Sequence, residues 1–157
     1  MKKTMILLCG MLLVSGLYSS ANKMTIDINV GAITDQNLTF PPDLWSAGAE
    51  LDIPLGKVLM LSPEAIFYGY KFEFKDFLFC PAVILNVTFS NFFAGGGVTK
   101  FFYLGSGTFT PLSDDFFMKV NAGLMSESLK ITLYVITPFS DQAFKDFAVG
   151  LTLGFRL

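Results

Sequence analysis

The side chains of this sequence that could do chemistry are charged ones in alternating segments, acidic early in the chain and basic later. The 157 residues include no histidine, which removes the imidazole that common hydrolytic triads and most zinc sites need. Opposite charges at such positions point to ion pairs, so we predict no enzyme, no metal site and no cofactor. The acidic members are Asp27, Glu50, Asp52 and Glu64, and the basic members are Lys100, Lys119, Lys130 and Arg156.

Three other motifs have simple structural interpretations. The glycines at 95–97 precede Lys100 but lack the ending of a phosphate-binding loop, so they indicate strand glycine and no nucleotide. Asp114 and Asp115, with Asp141, fall in loops where acidic residues are usually solvated rather than bound to a cation. Cys80 is the only cysteine after residue 21 and is expected to be a packing residue.

The N-terminus predicts a cleaved secretory signal over residues 1–21. A basic start at Lys2 and Lys3 is followed by 13 apolar residues, Met5 to Leu17, and by small residues ending at Ala21. As a helix this apolar run would rise only about 20 Å, too short for the roughly 30 Å hydrocarbon core. Residues 22–157 then form one domain with a net charge of −4, which disfavours nucleic acid as a partner.

The remaining chain is hydrophobic, yet it contains no apolar run long enough for a spanning helix. Hydrophobic residues make up 52% of the sequence, charged residues make up 15%, and the mean hydropathy is +0.55. A hydrophobic exported chain without a spanning helix can satisfy its backbone in lipid as a closed barrel of strands. We therefore predict an all-β fold, an eight-stranded antiparallel up-and-down transmembrane barrel.

Eight alternating segments support this prediction, because about 17 residues for each strand and connection suffice to span the membrane and turn. The segments are 24–33, 45–53, 58–70, 77–89, 92–103, 118–124, 129–135 and 147–157. The last one places an apolar face at Phe147, Val149, Leu151, Leu153, Phe155 and Leu157. Long connections (35–43, 71–76, 104–115 and 138–146) alternate with short turns (54–57, 90–91 and 125–128), as expected when one end of the barrel faces the outside.

Alternation alone leaves two orientations open. A lipocalin-like soluble barrel would point the apolar face inward around a ligand. The other face, however, is rich in Gly, Ser, Thr and Asn and poor in charge, which is atypical of a surface in water. The apolar face is therefore expected to meet lipid.

Several segments resemble the small outer-membrane β-barrel domain family of Gram-negative bacteria. The resemblance rests on GAELDIPLGKVLMLSPEAIFY (48–68), FCPAVILNVTF (79–89), FFAGGGV (92–98), LKITLYVITP (129–138) and AVGLTLGFRL (148–157). It implies a porin-like barrel in the bacterial outer membrane, with outer-membrane lipid around it. It also implies insertion by the barrel assembly machinery, which reads the final strand; that strand commonly ends in Phe, whereas this one ends in Leu157 with Phe155 two places earlier.

An eight-stranded barrel is just wide enough to be filled by side chains. The charged residues named above are therefore expected to form ion pairs across the lumen, led by Glu50 and Glu64 with Lys119 and Arg156. This predicts a non-enzymatic envelope protein with a structural or surface-interaction role. The alternatives are a narrow channel for ions or small hydrophobic molecules, a periplasmic lipocalin-like binding protein, and an outer-membrane lipid deacylase or protease.

Overall fold

The computed structural model describes residues 23–35, 44–70, 76–105, 107–139 and 146–157, and its regular elements are β-strands. In this part of the chain no helix is long and apolar enough to cross a membrane. The strands are β1 (Thr25–Asp35), β2 (Leu44–Pro54), β3 (Leu59–Tyr70), β4 (Asp76–Phe89), β5 (Phe92–Thr99), β6 (Phe102–Gly105), β7 (Thr108–Pro111), β8 (Phe117–Met125), β9 (Leu129–Pro138) and β10 (Ala148–Arg156).

Eight of these strands close into an antiparallel barrel. The order around the barrel is β1, β2, β3, β4, β5, β8, β9, β10 and back to β1. The first and last strands complete the circle, with Asp27 opposite Arg156 and Asp35 opposite Ala148. Each predicted segment overlaps one barrel strand, so the predicted fold class is confirmed.

Tight turns join the strands at one end of the barrel. Ser90 and Asn91 alone connect β4 to β5, as predicted, and Ser90 has a φ of 54°. A positive φ is typical of the tightest hairpin connections. The predicted signal over 1–21 and most of the predicted loops 35–43, 71–76 and 138–146 lie outside the described residues.

The predicted loop 104–115 is wrong over most of its length, because a hairpin occupies it. Strand β6 pairs with the first residues of β4, and β7 pairs with β6. The hairpin therefore continues beyond the last β5–β8 pair, Thr99 opposite Phe117. Two features favour strands here: the β-branched and aromatic residues at 108–110, and the parallel stacking of Phe102 on Phe109 at 5.0 Å.

Apolar side chains point away from the barrel axis. On β9 and β10, Leu133 is 53% exposed and Leu151 is 55% exposed, whereas the alternating Thr132 and Thr152 are buried. The same pattern holds on β1, where Ile28 is exposed and its neighbours are buried. A soluble barrel with an apolar interior and a polar exterior is excluded by this arrangement.

Side chains fill the interior at three levels. Met60, Phe93 and Met125 pack together near the short turns. A polar layer of charged residues lies above them. The third level, toward the long connections, is an apolar cluster in which the Tyr68 and Tyr134 hydroxyls share a hydrogen bond of 3.1 Å. The other buried members of this cluster are Ile33, Ile66, Cys80 and Ile136.

Candidate functional site

The polar layer is organised around the ammonium group of Lys130 on β9. Its Nζ lies 2.9 Å from Glu50 Oε1 and 2.9 Å from both carboxylate oxygens of Asp52. The carboxylate of Asp27 is 3.8 Å away. Lys130 is 1% exposed, so one buried cation contacts three buried carboxylates from β1 and β2.

Arg156 on β10 is the second cation of this layer. Its Nε lies 3.2 Å from Asp27 Oδ1, and its Nη2 lies 3.1 Å from Asp52 Oδ2. Nη2 also donates to the hydroxyl of Thr25 at 2.6 Å, near the short-turn end. Arg156 and Asp27 are direct partners in the β1–β10 register, so their ion pair also spans the closing seam of the barrel.

Neutral polar side chains extend the layer across the lumen. Ser62 donates to Asp52 Oδ1 at 2.7 Å and accepts from the amide of Asn86 at 2.9 Å. Asn29 donates to Glu50 Oε2 at 3.3 Å. Such hydrogen bonds compensate part of the cost of burying the carboxylates. These three residues were missed as members, although each one lies at an inward position of the alternation.

A separate ion pair lies closer to the middle of the barrel. Lys119 on β8 donates to Glu64 Oε1 on β3, and both side chains are buried. The Lys119 ammonium also lies 4.2 Å from the ring centroid of Tyr134, within the range of a cation–π contact. This pair joins opposite parts of the wall, because β4 and β5 lie between its two strands.

The structure brings together seven of the eight charged residues singled out from the sequence. Among the pairings expected first, Lys119 does meet Glu64. Glu50 instead meets Lys130, and Arg156 meets Asp27 and Asp52.

Lys100 does not join this layer, and the prediction that it faces the lumen is wrong. Its neighbours Thr99 and Phe101 take the inward positions, so the alternation turns Lys100 outward. Its Nζ lies 3.4 Å from the backbone carbonyl of Asp114 and 5.3 Å from the ring centroid of Phe116. The prediction failed because it placed the charge inside in preference to following the period of two.

The carboxylates of Asp27, Glu50 and Asp52 have the composition of a cation site, since their oxygens lie within 4.8 Å of one another. Lys130, however, contacts all three of them. The geometry thus supports neutralisation by a lysine side chain rather than by a bound metal.

The final strand presents a continuous apolar edge of the expected face. Val149, Leu151, Leu153 and Phe155 lie on β10 and point outward. Phe147 precedes the strand and lines a groove at its beginning, and Leu157 follows the strand and donates its backbone N–H to Ile26 at 2.9 Å.

Comparison with solved structures supports the same architecture. The N-terminal β-barrel domain of Pseudomonas aeruginosa OprF aligns over 85% of this chain and 97% of its own, at 11% identity and a TM-score of 0.51. The designed transmembrane barrel TMB2.3 aligns over 88% and 98%, at 13% identity and 0.49. The Yersinia pestis attachment protein Ail aligns over 85% and 96%, at 11% identity and 0.42.

No family model and no curated protein sequence matches the chain. Identities this low show the fold alone. The class defined by the closed barrel, its exposed apolar surface and the alignment with the OprF domain is that of the small eight-stranded β-barrels found in outer membranes.

Proposed function

We propose that this protein is a non-enzymatic, integral outer-membrane β-barrel with a structural or surface-interaction role in the bacterial envelope. The observation that carries the proposal is the contrast between its two surfaces. The outside of the barrel is apolar and exposed, and the inside is filled by ion pairs and packed side chains. Such a molecule is suited to lipid and has no continuous water-filled interior.

Aromatic residues near the long-connection end support the membrane assignment. Phe67, Phe79 and Phe102 lie next to one another on the outside of β3, β4 and β6, with ring centroids 4.9 and 6.3 Å apart. Trp45 on β2 meets Phe77 edge to face at 6.0 Å. Aromatic girdles of this kind mark the membrane interface of transmembrane barrels.

The proposal includes export by the signal at residues 1–21 and insertion by the barrel assembly machinery through the outward face of β10. The surface role falls to the connections at the long end and to the hairpin β6–β7. These parts of the proposal rest on the sequence patterns described above.

Cell fractionation tests the location. The protein should be recovered in the outer membrane, and it should migrate faster in a detergent gel before boiling than after it. Recovery in the soluble periplasmic fraction, with no shift on boiling, would contradict the proposal.

Planar bilayers test the closed lumen. Purified protein should give no reproducible conductance steps, because the charged layer and both apolar layers obstruct the path. Steps that are abolished by Glu64→Ala or Lys119→Ala would establish a narrow channel instead.

A further inference from the structure

The outer surface carries one feature that the filled lumen does not use. Lys100 lies at the end of β5, on the lipid-facing side, above a groove of about 320 Å³ lined by Pro81, Val83, Val98 and Phe102. The lining side chains below the lysine are apolar.

Below this groove, the outer face of β5 has no large side chains. The outward positions after Val98, toward the short-turn end, are Gly96 and Ala94. A side chain added at Gly96 would meet only the backbone oxygen of Lys119, at 3.7 Å, so the space outside this glycine is open. Its neighbours on β4 and β8, Leu85 and Val120, are larger and form two walls. We call this feature, from Lys100 down to Ala94, the β5 furrow.

The length of the β5 furrow suits one acyl chain. Lys100 and Ala94 are six residues apart, which is about 20 Å along a strand at roughly 3.3 Å per residue. At a strand tilt of about 40° this corresponds to about 15 Å of depth, which is half of the roughly 30 Å hydrocarbon core. A chain lying in the furrow would therefore extend through one leaflet, with its headgroup beside Lys100.

The charge at the top of the furrow selects the headgroup. Among the described residues, Lys100 forms no ion pair with a carboxylate; its ammonium contacts a backbone carbonyl and the Phe116 ring. A long lysine side chain at this level can extend to the interface while its methylene groups remain in the apolar region. The exposed carboxylates of Asp114 and Asp115 lie on the following connection and oppose an anion, so the headgroup must be held by Lys100 itself.

We propose that the β5 furrow is a binding site for one phosphate-bearing lipid. The acyl chain lies over Gly96 and Ala94, and the phosphate accepts a charge-assisted hydrogen bond from the Lys100 ammonium. The inference rests on the proposed membrane location and adds a specific ligand to it.

Native mass spectrometry of the refolded chain tests this site. The probe is an equimolar mixture of phosphatidylglycerol and phosphatidylcholine with identical acyl chains, added to the protein in detergent micelles. The wild-type chain should retain phosphatidylglycerol several-fold more than phosphatidylcholine. Lys100→Gln should abolish this preference and Lys100→Arg should keep it, whereas Lys57→Gln, at an exposed lysine in the short β2–β3 turn, should leave it unchanged.

A second variant tests the furrow itself. Gly96→Leu should lower the retention of both lipids several-fold, and Ala49→Leu, an outward substitution on β2, should not. Excess inorganic phosphate should leave phosphatidylglycerol bound, because the acyl chain contributes to its binding. Equal retention of the two lipids, a preference that survives Lys100→Gln, or displacement by inorganic phosphate would overturn the proposal.

The boiling-dependent gel shift of each variant separates this failure from failure of the proposed function. A variant that shifts normally but shows no lipid preference refutes the lipid site alone. A wild-type chain that never shows the shift refutes the membrane barrel.

Discussion

Lys119 on β8 forms a buried ion pair with Glu64 on β3, and two further strands of the wall lie between them. The pair therefore connects opposite parts of the barrel through its interior. Because both side chains are removed from water, each one depends on the other for compensation of its charge.

The first prediction concerns this pair. Lys119→Met alone should lower the free energy of unfolding by about 3–5 kcal/mol, because it leaves the Glu64 carboxylate buried without its cation. The double variant Lys119→Met with Glu64→Gln should be more stable than Lys119→Met. Urea unfolding in lipid vesicles measures both effects; a double variant less stable than Lys119→Met would contradict the buried pair.

The second prediction concerns Lys130, which contacts three carboxylates. Lys130→Met should destabilise the barrel more than Lys119→Met does, because Asp27, Glu50 and Asp52 would then share only Arg156. The control is Lys57→Met at an exposed turn position, which should change stability by less than about 0.5 kcal/mol. Similar losses for the Lys130 and Lys57 variants would contradict the described charge layer.

The third prediction contrasts two strand glycines. Gly150 faces the ring of Tyr134, and an added Cβ would come within 2.6 Å of the ring carbon Cε1. Gly150→Ala should therefore cost about 1–3 kcal/mol through overpacking. Gly96→Ala faces open space and should be near neutral in the same unfolding measurement; equal costs would show that Gly150 does not adjoin a filled interior.

The fourth prediction concerns the depth of Trp45. This half-buried side chain lies on the outer face of β2 beside Phe77, so bromine-labelled lipids should quench its fluorescence. Quenching should be stronger with bromine near the headgroup than near the end of the acyl chain, as expected in an aromatic girdle. A tryptophan moved into the lumen, in the double variant Trp45→Phe with Tyr134→Trp, provides the control and should be quenched little; equal quenching in both proteins would argue against the orientation.

The fifth prediction concerns pH at the projecting hairpin. Tyr103 donates to Asp76 Oδ1 at 2.7 Å, and this hydrogen bond raises the pKa of the Tyr103 phenol above its ordinary value of 10.0. The bond therefore supports the hairpin fully below that ordinary pKa and is lost as pH rises through the raised one. The difference in tyrosinate absorbance between wild type and Tyr103→Phe should have a midpoint above 10, and Asp76→Asn should lower it. A midpoint at or below 10 would show that the hydrogen bond does not form.

Alternation in the sequence was sufficient to predict the barrel and its two faces. On β10, a period of two runs from Val149 to Phe155 without a break, and the structure reproduces it. The same rule, followed strictly, would have turned Lys100 outward.

The pairing within the charged layer could not be predicted, because alternation fixes a face but no height. Register and strand tilt determine which charges meet across the lumen, and they brought Glu50 to Lys130 instead of Lys119. The hairpin β6–β7 was missed because its glycines, a proline and two aspartates look like a loop, while its stability comes from pairing with β4 and from ring stacking.

The most direct test of the central claim is a spin-label scan along β10. Single cysteines at positions 149–155, in a chain with Cys9→Ala and Cys80→Ser, would be labelled after refolding into vesicles, and collisions with oxygen and a polar nickel complex would be measured. The account predicts oxygen maxima at 149, 151, 153 and 155 and low access to both reagents at 150, 152 and 154. Nickel maxima at 150, 152 and 154 would place the polar face in water and contradict it.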